Sequence, residues 1–504
     1  MSLALRFLAI LLAVLCGAWP AKAAQDTALE RGTAITDPAT LRELDGGRFR
    51  FDRMLLPEWS ADSPLTNAAV FALPSMAPVR QAIDAEFYRY VARHAATLPK
   101  ETIGVGTGFD FQLFDRALLY SQETRFVLAG IVNRMDRTYL AEASCGEIRL
   151  IYRLTRIHKV AGDDTASPRL PMTLNLVLRA RGQGEVITCA EIARRWLAIS
   201  GGGTSSEKNG PLDLIRHDNI DRIETNLQIA HAPKSEVRDF RTDYLMKVFR
   251  YDGQAGVFAE VPMENQIDRA RLLADDGLKR EFRAWLLDPA NLAAFDRGIA
   301  LIPEKFLASG AIAPTPVGFD PSELEPEFGL VRGEGAVFSE TDVVTALKKA
   351  AEAGVKLQNI RSPAGFERRL NDVTCAGCHQ TRGIGGFHFP GVDWMAEKPS
   401  NTTVVPASPH FFGDQLRRRN ILTSLRDGRS PDYSRGFSSR PQLRGSTELA
   451  GSNYNDGWGA HCYVRGKPAA GNDASFRGWA CAEGLSCQAA GKVSRIGMCF
   501  VKSR

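Results

Sequence analysis

Hydrophobic and polar residues alternate with a period of two in several stretches between about Phe126 and Met263. In PMTLNLVLRA, Met172, Leu174, Leu176 and Leu178 alternate with Thr173, Asn175, Val177 and Arg179. Successive side chains of a strand point to opposite faces, so the pattern predicts a strand with one face buried. FVLAGIVNR (Phe126 to Arg134) and EIRLIYRLTRI (Glu147 to Ile157) read the same way. Asp243 to Asn265 places two strand-like runs on either side of Asp252-Gly253, a turn pair that predicts a hairpin. Together these runs predict a largely antiparallel sheet with helices at its margins.

The period then changes. From about Gln266 to Ala308 no strand pattern fits, and a helical stretch broken near Pro289 and Pro303 is expected. Ser309 to Val337 is rich in Gly and Pro and predicts an interdomain linker. Ser339 with Asp342 three residues on opens an amphipathic helix that Gly354 closes. Phe411 to Leu425 has helical spacing, and Arg426 to Gly457, rich in Gly, Ser, Arg and Asn, reads as a loose connector. The first residues place Arg6 before an apolar run, Phe7 to Ala18, followed by Ala21-Lys22-Ala23. That is the pattern of a Sec-type signal peptide cleaved near Ala23 or Ala24, and the run is shorter than the roughly 20 apolar residues of a membrane helix. The expectation is a soluble mature protein, periplasmic or secreted, with no transmembrane segment.

The fold class expected is α+β and multidomain. A signal peptide (1–23) is followed by an α+β domain (24–308), a linker (309–338), a helical segment (339–430), a connector (431–457) and a Cys-rich module (458–504). A length of 504 residues, 44% of them hydrophobic and 24% charged, suits a globular chain of more than one folding unit. The formal net charge of +5 decides little. From Asp414 onward, fifteen Lys or Arg face seven Asp or Glu, which suits a solvated basic face or the docking of an acidic partner. The basic residues are not interleaved with aromatics as on nucleic-acid surfaces, so no nucleic-acid partner is expected. No Ser-His-Asp order, phosphate-binding Gly loop or metalloprotease helix is present.

The densest chemistry lies in NDVTCAGCHQTRGIGGFHFPGVDW, from Asn371 to Trp394. Two thiols three residues apart on one helical turn reach the two vinyl groups on a porphyrin edge, and a histidine one residue later shares that face. Ala376 and Gly377 are small and leave room for the porphyrin edge. This Cys-x-x-Cys-His run resembles the attachment site of the c-type cytochromes. The resemblance is confined to this segment; it implies one covalently attached haem c, with Cys375 and Cys378 as thioether sites and His379 as proximal iron ligand. It further implies electron transfer with a redox partner protein.

Small c-type cytochromes keep a methionine ligand several tens of residues after the motif, whereas here no Met occurs between Met395 and Met498. The candidates for the sixth position are His388, then His410, and Met395. An unfilled position is the alternative, and it implies a haem enzyme of peroxidase or oxygenase type. A secreted binding protein whose Cys375 and Cys378 form a disulfide is the third reading. With Cys16 in the signal and two cysteines on haem, six remain, an even number suited to disulfides in an oxidising compartment. Cys462, Cys481, Cys487 and Cys499 then staple the tail with two bonds of undetermined connectivity, and Cys145 pairs with Cys189. Asn133-Arg134-Met135-Asp136 and Arg417-Arg418-Arg419 are candidates for a haem propionate or a substrate carboxylate, with surface or structural ion pairing as the alternative.

Overall fold

A computed structural model describes residues 32–59, 62–140, 144–157, 168–182, 187–199, 210–232, 241–314, 336–358, 360–374, 395, 415–435, 461–463, 485–489 and 496–501. The fold is α+β. Thirteen described strands are β1 (Ala34–Ile35), β2 (Ile103–Val105), β3 (Phe111–Leu113), β4 (Thr124–Arg134), β5 (Glu147–Arg156), β6 (Arg169–Arg179), β7 (Ile220–Ala232), β8 (Arg241–Asp252), β9 (Val257–Val261), β10 (Gly310–Pro314), β11 (His461–Tyr463), β12 (Leu485–Ala489) and β13 (Ile496–Val501). The first ten form one sheet whose centre is the antiparallel run β4-β5-β6-β7-β8. β9 returns beside β8 from Asp252↔Val257, so the expected hairpin is present, and Gly256 takes the positive φ of +68° that its loop requires.

One face of the sheet is apolar. Leu150, Tyr152 and Leu154 of β5, Met172, Leu174, Leu176 and Leu178 of β6, and Ile223, Leu227 and Ile229 of β7 enter one core. Helices Pro38–Gly46, Ala77–Thr97 and Cys189–Leu197 supply buried residues to that core. The 21-residue helix Ala77–Thr97 contributes Val79, Ile83, Phe87 and Tyr90, spaced to fall on one stripe, and Tyr90 Oη donates to Asp243 Oδ2 at 2.6 Å. Cys145, just before β5, is bonded to Cys189 at the start of the last helix, with Cα atoms 5.2 Å apart.

The expectation of a single buried face does not hold. In β6 the alternate positions Thr173, Asn175 and Val177 are also buried. Alternation reports that two faces differ in polarity, and here the polar face is covered as well.

A second core is helical. Helices Asp276–Leu286 and Pro289–Asp296 pack Phe282, Leu286, Leu292 and Phe295 with Phe306, Phe338, Phe366 and Leu370. Asp288 caps the second helix by accepting from Ala290 N at 2.9 Å, so Pro289 starts a helix where the sequence suggested a break. Ser339 and Asp342 form a capping box on the helix Glu340–Glu352, and Gly354 takes φ +76° beyond its end. The core draws on residues from both sides of the stretch expected as a linker. That stretch begins with β10, paired with β8, and ends with buried Val337 and Phe338. In the tail, β11, β13 and β12 form an antiparallel three-stranded sheet; Cys487 stands opposite Cys499 and is disulfide-bonded.

Candidate functional site

The covered polar face of the large sheet is charged. Arg134 at the end of β4, Glu147, Arg149 and Arg153 on β5, and Glu224 on β7 are each under 9% exposed. A buried ion is costly unless it is paired, and β5 and β7 supply partners to each other across β6. Arg149 Nη2 donates to Glu147 at 2.9 Å and its Nη1 to Glu224 at 3.0 Å. Arg222 Nη2 donates to Glu147 at 2.7 Å and its Nε to Glu224 at 3.0 Å. Cross-strand register brings these about, since Val177 of β6 stands opposite both Arg149 and Arg222, and Asn175 stands opposite Glu224.

Beyond β4 the chain enters a 3-10 turn, Met135–Leu140, where Asn133 Oδ1 accepts from Met135 N at 2.8 Å. Asp136 in this turn accepts from Arg134 Nε at 2.8 Å, from Arg417 Nη2 at 2.9 Å and from Arg435 Nη2 at 3.0 Å. Burial alone would raise its pKa, but Arg134, Arg418, Arg417 and Arg435 outweigh it and hold the carboxyl well below the usual carboxylate range. The same contest lowers Glu147, where burial is overcome by Arg137, Arg222 and Arg149. Arg137 pairs with Glu147 at 3.1 Å and with Glu264; these two carboxylates override burial and hold its pKa well above the ordinary arginine value.

This network borders a cavity of about 50 Å³. Arg134, Arg137, Arg149 and Arg435 line it with Glu224 and Glu264, and Val248, Met263, Ala300 and Val373 add apolar wall. Arg134 is 1% exposed, and its Nη1 has no hydrogen-bond partner among the described residues. Among the described lining residues, four guanidiniums stand with two carboxylates.

No family model, curated protein or solved structure matches the chain. The site therefore stands on its own chemistry. Two stretches selected from the sequence, Asn133 to Asp136 and Arg417 to Arg419, are brought together here by the Arg417–Asp136 pair, in which the Asp136 side chain is fully buried and that of Arg417 is 18% exposed. Cys375, Cys378, His379, His388, His410 and Cys481 lie outside the described residues, as do residues 1–31. Met395 is described and partly buried. The helix Pro363–Val373 ends two residues before Cys375, and Val373 is in the cavity wall. That helix is anchored through Arg369 Nη2, which donates to Asp296 O at 2.7 Å and to Arg435 O at 3.1 Å. The lining cations therefore lie beside the C-terminal end of that helix. Arg137, Glu147, Arg149, Arg222, Glu224 and Arg435 were not singled out from the sequence. Their signal is charge of both signs at the polar positions of neighbouring strands, which becomes informative only once that face is known to be covered.

Proposed function

We propose that this chain is an exported c-type haem protein that carries one covalently attached haem and exchanges electrons with a partner protein. The observation that carries the reading is Cys375-Ala-Gly-Cys378-His379. Each thiol adds across a porphyrin vinyl group, sulfur bonding one vinyl carbon and the thiol proton passing to the other, so no external oxidant is consumed. His379 would bind the iron, and a haem so held would supply one-electron iron chemistry. One feature supports the reading. The Cys145–Cys189 bond suits an oxidising compartment.

The test is expression of the full chain with a haem c maturation system. Haem that survives denaturation and acid-acetone extraction, lost on Cys375→Ala with Cys378→Ala, is the expected result. An intact mass without the haem increment defeats the proposal.

The gap in methionines between Met395 and Met498 favours a second reading, an enzyme with open iron. A low-spin spectrum that becomes high-spin in His388→Ala supports a bis-histidine carrier. A high-spin parent spectrum with peroxide-dependent oxidation supports the enzyme.

A further inference from the structure

Arg435 touches both cores. On the sheet side its Nη2 donates to Asp136 Oδ2 at 3.0 Å, in the turn after β4. On the helical side its backbone N donates to Arg297 O at 2.7 Å, and its backbone O accepts from Arg369 Nη2 at 3.1 Å. Arg297 follows the helix Pro289–Asp296, and Arg369 lies in the helix Pro363–Val373, whose Phe366 and Leu370 belong to the helical core. Arg297 Nε also donates to Ser434 Oγ at 3.0 Å. We propose that Tyr433-Ser434-Arg435 is a strap across the seam between the two cores, and that its release opens the cavity lying there.

The cavity walls locate the seam. Arg149 and Val248 come from the sheet, Gly298, Ala300 and Val373 from the helical side, and Arg435 completes the lining. The chain itself crosses between the cores at two adjacent places, where Met263 N donates to Ala308 O at 2.8 Å and Ala308 N donates to Gln266 O at 2.9 Å. Neighbouring crossings form a hinge: they join the cores along one line and leave the angle between them to other contacts. The strap is such a contact.

Its two sides are held differently. Toward the sheet core it continues from the helix Gln415–Arg426, whose Leu422 is in that core and whose Arg417 pairs with Asp136 at 2.9 Å. The Tyr433 ring lies 5.4 Å from that of Tyr139 on the same side. Toward the helical core hydrogen bonds hold it, and no residue from Asp427 to Arg435 is buried. Little apolar surface is exposed when such a segment lets go, so it opens at lower free energy than the cores it joins. Release therefore occurs on the helical side, the strap stays with the sheet core, and solvent reaches the cavity wall. Haem attachment plays no part in this inference.

The test is thiol labelling of the full mature chain carrying Val248→Cys in the cavity wall, read at that position by peptide mass so that native cysteines do not interfere. Val79→Cys, fully buried in the sheet core, reports on unfolding of that core. Each is measured alone, with Arg435→Ala, which removes the anchor on Asp136, and with Arg297→Ala, which removes the donor to Ser434. Arg435→Ala should accelerate labelling at 248 about tenfold more than labelling at 79, and Arg297→Ala about threefold more, because labelling follows the population of the opened form. A ratio of the two rates unchanged by Arg435→Ala overturns the inference. The Arg297 side chain is 48% exposed, so Arg297→Ala keeps the fold, and if Arg435→Ala fails to fold an unchanged ratio in Arg297→Ala overturns the inference instead.

Discussion

Asp136 gathers charge from near and far along the chain. Its carboxylate holds Arg134 two residues away, Arg417 at a separation of 281 and Arg435 at a separation of 299. Removing one side of a buried ion pair leaves the rest uncompensated, and Asp136→Asn should cost about 3–5 kcal/mol, read from the denaturant midpoint at unchanged slope. A loss below about 1 kcal/mol would mean that solvent already screens the cluster. Gly146 protects the same site by shape. It sits at φ +86°, and a Cβ there would lie 2.5 Å from Arg134 O and 2.8 Å from Met135 Cα, both backbone atoms that cannot swing away. Gly146→Ala should therefore destabilise by more than about 1 kcal/mol, with chemical-shift changes concentrated at residues 134–136. An exposed glycine such as Gly253, with no atom within 4 Å of its added Cβ, is the control.

At the scale of elements, strands were the legible part. β4, β5, β6 and the β8-β9 hairpin follow the alternation, and the helix Glu340–Glu352 starts and stops where its capping residues indicate. The helix Ala77–Thr97 was not anticipated, although its apolar positions at 79, 83, 87 and 90 fall on one stripe. That stripe is interrupted by Arg and Glu on the other faces, and its overall hydrophobicity is low, so only its docking on the sheet makes it stand out. The Cys145–Cys189 bond ties the entry to β5 to the helix Cys189–Leu197 across 44 residues. In the chain-entropy view, closing a loop of that length stabilises by about 4 kcal/mol. Cys145→Ser with Cys189→Ser should accordingly lower the thermal midpoint under non-reducing conditions, and wild type in reductant should fall toward the same value. Equal midpoints for oxidised wild type and the double variant would show that the bond constrains nothing.

For the whole molecule, the buried carboxylates set the acid limit. Asp136 and Glu147 have folded-state pKa values below their ordinary ones, because arginines outweigh burial at each. A depressed folded pKa gives stability that is full above the unfolded value, near 4, and is lost as the pH falls toward the folded value. Asp45 works in the opposite sense: burial raises its pKa despite Arg125, so protonation favours the folded form there. Asp136 and Glu147, both well below the ordinary range, against Asp45 predict that unfolding free energy drops below about pH 4. Asp136→Asn should flatten the profile in that window, as followed by denaturant titration at a series of pH values. A variant profile parallel to wild type would place the acid-sensitive groups elsewhere.

The sequence by itself determined the strand period, the capping of the helix Glu340–Glu352 and the α+β class. Each depends on residues within a few positions of one another, where spacing along the chain is also spacing in space. Only the tertiary structure decided that the polar face of β5, β6 and β7 is covered, that helices from both sides of 309–338 share one core, and that Arg134, Arg417 and Arg435 meet on Asp136. Periodicity tells which side chains share a face, not what packs against it. Whether a charged face is solvated or buried and paired depends on contacts between residues nearly 300 positions apart, and no local pattern encodes them.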